Sequence, residues 1–171
     1  WCKLLRSPHP HARIIRVDTA KAAALPGVFA VLTGKDLVVP FGILPVSQDE
    51  HALCPDLVRF VGDPVAAVAA LDEDTALAAC ELIEVVYEQL QPIGSVTDAI
   101  KRPTPQLHGY ADQGNLHKLV NLEFGDLAAG FARADLLRED IVFYEGNTHL
   151  PMEQHASLGH FTADGRLTVW S

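Results

Sequence analysis

The run Pro64-Val65-Ala66-Ala67-Val68-Ala69-Ala70 constrains this chain more than any other stretch. Seven consecutive apolar residues, two of them β-branched, are too few to cross a bilayer and too uniformly apolar for a half-exposed strand, so they read as a strand buried on both faces. Its alanines project so little side chain that a neighbouring element must pack close against them. That element follows at once. From Asp72 or Glu73 through Ile83 the chain has acids in its first turn, where the helix dipole favours negative charge, and Leu77, Cys80 and Ile83 at helical spacing. Glu84 to Leu90 then returns as a strand.

Upstream, Cys2 to Arg6 and Ala12 to Val17 read as strands, and Thr19 to Leu25 as a short helix with Asp18 as N-cap and Pro26-Gly27 as its stop. Val28 to Leu32 is apolar enough for a buried strand, and Leu57 to Phe60 reads as another that turns at Gly62-Asp63. Interleaved strands and helices make an α+β unit of residues 1–95. Between them, Val38 to Pro55 carries Pro40, Gly42 and Pro45 and is expected to stay outside the core; a loop this long is either mobile or functional.

Ile93 to Leu122 holds Pro103, Pro105, Gly109, Gly114 and Asn115 with little periodicity, which predicts a linker, residues 96–122, wrapped over a surface. A second domain, residues 123–171, is expected to follow. Asp126 caps a short helix through Ala134, Leu136 to Tyr144 and Ala156 to Phe161 are expected strands, and Ala163-Asp164-Gly165 supplies the turn of a hairpin with Leu167 to Ser171. The chain stops in mid-strand, which reads as a cut because it leaves an open edge.

Apolar residues at 49% and charged residues at 20% describe a folded, soluble protein, and no run is long enough to span a membrane. The opening Trp1-Cys2-Lys3-Leu4 has no secretory signal pattern. A net charge of −9, with Arg6, Arg13, Arg16, Arg59 and Arg138 scattered among acids, argues against a nucleic-acid partner. Cys2, Cys54 and Cys80 are odd in number and widely spaced, so neither a disulfide framework nor a metal site follows, and a reducing cytoplasm is expected.

His149, Glu153, His155 and His160 come nearest to a ligand cluster. Pro151 makes that segment extended, however, whereas a His-Glu-x-x-His zinc site needs two imidazoles on one helical face. Ser7, Ser47, Ser95 and Ser157 sit in no Gly-x-Ser-x-Gly elbow, and no dinucleotide or Walker pattern occurs. Asp72, Glu73 and Asp74 are accounted for as cap and dipole complement. Glu153, behind Met152 in a strand-like segment, is read as a hydrogen-bonded structural carboxylate, because burying it unpaired is costly. No complete active site results.

Val58 through Ala70, the helix after it and Val85-Val86-Tyr87-Glu88 resemble the a/b hammerhead domain of the xanthine dehydrogenase and aldehyde oxidase family of molybdenum hydroxylases. So do Leu5 through Ala12 and Pro26-Gly27-Val28. Met152-Glu153 and Gly165 through Ser171 resemble the opening of the molybdopterin-binding domain of the same large subunit. Within the family, Val39-Pro40-Phe41-Gly42, the alanine-rich strand, Glu123 through Ala129, Ala134-Asp135-Leu136 and Arg138-Glu139 are similar to the 4-hydroxybenzoyl-CoA reductase branch.

The resemblance implies a molybdenum-molybdopterin cofactor in the complete large subunit, FAD and iron–sulfur clusters on partner subunits or domains, and a small aromatic substrate. In the similar branch the reaction is reductive dehydroxylation of an aromatic acyl-CoA; in most of the family it is water-derived hydroxylation of a heterocycle or aldehyde. No catalytic, cofactor-binding or metal residue carries over, because the family's cofactor-contacting glutamine, glycine-rich loop and catalytic glutamate match positions past Ser171. The loop holding Phe41, Gly42, Ile43 and Leu44 is the candidate for touching substrate or a neighbouring subunit, with Glu153 a structural carboxylate near the site. Family members usually begin with a segment before Cys2 and carry proline where Gln154 stands. The first departure implies a missing strand, so the isolated chain is expected to self-associate through an open edge. A reading from another class is a stand-alone assembly module recruiting a partner through that edge.

Overall fold

In the computed structural model, which describes residues 1–44, 47–101, 105–109, 114–148 and 150–171, the chain divides into two units, Trp1–Asn121 and Leu122–Ser171. The first contains β1 (Cys2–Arg6), β2 (Ala12–Asp18), α1 (Ala20–Ala23), β3 (Val28–Thr33), β4 (Leu57–Val58), β5 (Pro64–Ala70), α2 (Glu73–Glu81), β6 (Glu84–Gln89) and α3 (Val96–Lys101). The alanine-rich run is the centre of one antiparallel sheet, ordered β1-β5-β3, in which Leu4, Ala67 and Leu32 stand in one row. A second antiparallel sheet is ordered β4-β2-β6.

Small side chains on β5 let α2 pack close. Ala66, Val68, Ala79, Cys80 and Ile83 form one buried cluster with Ala22 of α1, and Ala12, Cys54, Val58 and Val65 form a second. Val17 and Val85 pack against both clusters, so the two sheets share one continuous interior. Each fully buried valine contributes about 1.5–3 kcal/mol. Helix α2 starts where the Asp72 carboxylate accepts the Thr75 N–H at 2.8 Å. Its buried face is Ala76, Ala79 and Cys80, while Leu77, expected to face the core, is 47% exposed, because the alanines and not the larger leucine meet the strand.

Several expectations need correcting. β4 ends at Val58 rather than Phe60, because the Arg59 N–H turns to the Asp63 carboxylate at 2.9 Å instead of extending the ladder. α1 is shorter than predicted, and Asp18 stands one residue before the cap position, its carboxylate accepting the Ala20 N–H at 3.1 Å. The far end of the long loop does enter the core: Leu53 is 2% and Cys54 6% exposed, held by a Cys54 N–H to Pro64 carbonyl bond of 2.8 Å. The predicted linker contains α3, opened by the Ser95 hydroxyl accepting the Asp98 N–H at 3.0 Å. That helix buries no residue, which is why it left no apolar periodicity to read.

The second unit holds α4 (Leu127–Ala132), capped by Asp126 through the Ala129 N–H at 2.8 Å, and a hairpin of β7 (Leu158–Phe161) and β8 (Leu167–Trp170). Gly165 takes the positive φ the turn demands, +82°. Leu136–Tyr144, expected as a strand, is not one: it pairs with no described strand, and Ile141 is 98% exposed. Among the described residues of this unit none is buried, and only Ala129 and Thr162 are half-buried. No helix among the described residues is long and apolar enough to cross a membrane.

Candidate functional site

The tight turn between β4 and β5 is built from its own polar groups. Asp63 is buried, its carboxylate accepts the Arg59 N–H, its carbonyl accepts the Ser7 N–H at 2.8 Å, and Gly62 takes a φ of +96°. Burial pushes the Cys54 thiol well up, and Asp63 beside it adds to the effect, so this thiol stays protonated and is no nucleophile.

The long loop folds back against this turn. Phe41 and Glu50 pair through two backbone hydrogen bonds of 2.8 and 2.9 Å. Gly34 fixes the near end: a Cβ there would stand 2.3 Å from the Cys54 carbonyl carbon, so only glycine fits.

Residues 105–109 close the arrangement from a third direction. Arg59 donates from Nε to the Leu107 carbonyl at 2.7 Å, and His108 Nδ1 meets Asp49 Oδ2 at 2.6 Å. Asn115 braces the segment by accepting the Leu107 N–H at 2.9 Å and donating to the Pro105 carbonyl at 2.9 Å. The three segments enclose a cavity of about 370 Å³ walled by Phe41, Phe60, Glu50, His51 and Arg59 over the Cys54–Asp63 floor. That volume suits a small molecule. Among the described residues, His51 Nδ1 is buried without a hydrogen-bond partner in this cavity wall.

Of the loop residues singled out in the sequence, Phe41 lines the cavity, Gly42 lies so close to the Ser47 carbonyl that a Cβ there would collide with it, and Ile43 and Leu44 are exposed, Ile43 at 90%. Sequence reasoning missed Asp49, His51, Asp63 and His108. Only the four-residue spacing of Arg59 and Asp63 around Gly62 was available as a signal. Glu153, expected to be held by hydrogen bonds, is exposed and has no partner among the described residues; its segment forms no strand, so the carboxylate stays in water and needs none. It borders an open depression of about 630 Å³ with His155 and Pro151. His149 lies outside the described residues, and among those described no cluster of three or more histidine, cysteine or acidic side chains is placed to hold a metal.

A molybdopterin group, an extended anionic cofactor, does not fit the described residues alone. The described residues of the second unit enclose no buried cradle, and Glu153 bordering the depression described above would repel a phosphate.

Comparison with known proteins gives the geometry a family context. The pattern described as aldehyde oxidase and xanthine dehydrogenase, a/b hammerhead domain, matches residues 1–91, and that of the molybdopterin cofactor-binding domain matches residues 108–171. The nicotinate dehydrogenase large molybdopterin subunit of Eubacterium barkeri is 37% identical over 99% of this chain and 39% of its own length. A probable xanthine dehydrogenase subunit of Bacillus subtilis is 38% identical over 99% of the chain and 22% of its own length. The aldehyde oxidoreductase structure from Desulfovibrio gigas superposes with a TM-score of 0.73 at 25% identity, over 98% of this chain and 19% of that one. The chain thus spans well under half the length of these relatives.

Proposed function

This chain belongs to the aldehyde oxidase and xanthine dehydrogenase family, as a hammerhead domain followed by the start of a molybdopterin-binding domain, and from that premise we propose that it serves a molybdenum hydroxylase acting on a small nitrogen heterocycle. The observation that carries this reading is the alignment of nicotinate and xanthine dehydrogenase subunits along 99% of the chain. In such a reaction a ring C–H becomes C–OH with oxygen from water, releasing two protons and two electrons. A molybdenum cofactor held with residues outside this chain would supply that redox chemistry, and partner subunits or domains with iron–sulfur clusters and FAD would take the electrons.

The hammerhead unit is the scaffold, and the apolar tip at Ile43 and Leu44 contacts a neighbouring subunit or the substrate path. The exposed Ile141, Phe143 and Met152 of the second unit support a cover formed by further polypeptide. A second reading, reductive dehydroxylation of an aromatic acyl-CoA, is favoured by the segments Val39–Gly42 and Glu123–Ala129. Co-expression of the complete large subunit with its partner subunits, metal analysis and turnover assays on nicotinate, xanthine, an aldehyde and 4-hydroxybenzoyl-CoA test both. Molybdenum with heterocycle oxidation is expected. Reduction of the acyl-CoA alone selects the second reading, and an active enzyme without molybdenum overturns both.

A further inference from the structure

The cavity between the long loop and the β4–β5 turn separates into groups already engaged and groups that are not. Asp63 accepts the Arg59 backbone N–H, Asp49 is paired with His108, and the Cys54 thiol is protonated beside Asp63. Three polar groups remain. The Glu50 carboxylate has no hydrogen bond or ion pair among the described residues, Arg59 engages its Nε and Nη1 but not Nη2, and His51 Nδ1 is buried with no partner. Phe41 and Phe60 supply aromatic wall.

We propose that this cavity binds a small, neutral, planar aromatic amide or lactam, whose N–H meets the Glu50 carboxylate, whose carbonyl meets the free edge of Arg59, and whose ring lies against Phe41 and Phe60. Glu50 offers an acceptor and the Nη2 of Arg59 a donor, so a ligand carrying both a donor and an acceptor matches them, while the Asp63 carboxylate, bonded to a neutral backbone N–H, keeps its charge in the floor. An anion such as a carboxylate or phosphate meets Glu50 without a donor to offer it. A cation brings no acceptor for Arg59. A plain hydrocarbon leaves the buried His51 Nδ1 without a partner. Engagement of the amide also gives the His51 ring a polar neighbour. The inference rests on the cavity lining and goes beyond the reaction proposed above.

Three ligands of nearly equal shape separate the alternatives: benzamide, benzoate and benzamidine, titrated by calorimetry into the full chain, with ligand-observed NMR as a second readout. Benzamide is expected to bind one-to-one with Kd below about 1 mM and to exceed both charged analogues by about tenfold. Glu50→Gln, at an exposed and unpartnered side chain, is expected to weaken benzamide by about tenfold and to narrow its margin over benzoate. His51→Phe, which keeps the ring volume, is a second variant and is expected to lower affinity. The proposal is overturned if benzamide fails to saturate, if either charged analogue binds as tightly, or if both variants bind like the parent. Because binding is read without turnover, failure here is separate from failure of the proposed reaction.

Discussion

Asp49 and His108 stand 59 residues apart in sequence and 2.6 Å apart in space, so the long loop and the segment after α3 are clasped across the mouth of one cavity. Both side chains are partly exposed, which limits the pair to about 0.2–1 kcal/mol. Asp49→Asn is therefore expected to leave the unfolding midpoint almost unchanged while raising amide exchange at Leu107 and its neighbours, as read by hydrogen–deuterium exchange mass spectrometry. A large drop in global stability would show the clasp to be part of the core instead.

Gly34 tests how tightly the loop end is seated. A methyl group there collides with the Cys54 backbone, which cannot retreat because its N–H is bonded to Pro64. Gly34→Ala is expected to destabilise the first unit by about 2 kcal/mol or more in denaturant titration, whereas Gly94→Ala, with open space around it, should change little.

Acid should weaken the start of α2. Hydrogen bonds from the Thr75 side chain and N–H hold Asp72 below its ordinary value of 3.8. A carboxylate lowered on folding contributes its stabilisation fully above the unfolded value and loses it as pH falls through the folded one. Asp72→Ala is thus expected to lower stability at neutral pH and to flatten the decline below about pH 4, followed by denaturant unfolding across a pH series.

Thiol chemistry should divide the cysteines. Burial raises the pKa of both Cys54 and Cys80, while Cys2 lies exposed on β1. Brief iodoacetamide treatment of the native chain is expected to alkylate Cys2 and spare the other two, with all three modified after denaturation, read by peptide mass spectrometry. Fast labelling of Cys54 would contradict the protonated, enclosed thiol described at the cavity floor.

Legibility followed the range of the interaction involved. Local chemistry was readable wherever one short segment carried it: Asp72 and Asp126 as caps, Gly165 as the hairpin turn, and Pro64–Ala70 as a buried strand. Local pattern misleads where a distant partner decides. Arg59 and Phe60 look like strand residues until Asp63 captures the Arg59 N–H, and Leu136 to Tyr144 is apolar enough for a strand but meets no described partner strand. α3 escapes for a different reason, since a helix that buries nothing leaves no periodic trace.

The sequence by itself determined the α+β pattern of the first unit and the caps and turns that punctuate it, because runs of apolar residues and capping side chains act within a few positions of themselves, and its segments carried the resemblance to the family. Only the tertiary structure decided that Glu50, His51, Arg59 and His108 share one cavity, and which of their polar groups remain unengaged. That convergence depends on loop closure over tens of residues, stabilised by contacts between segments whose local patterns carry no record of each other.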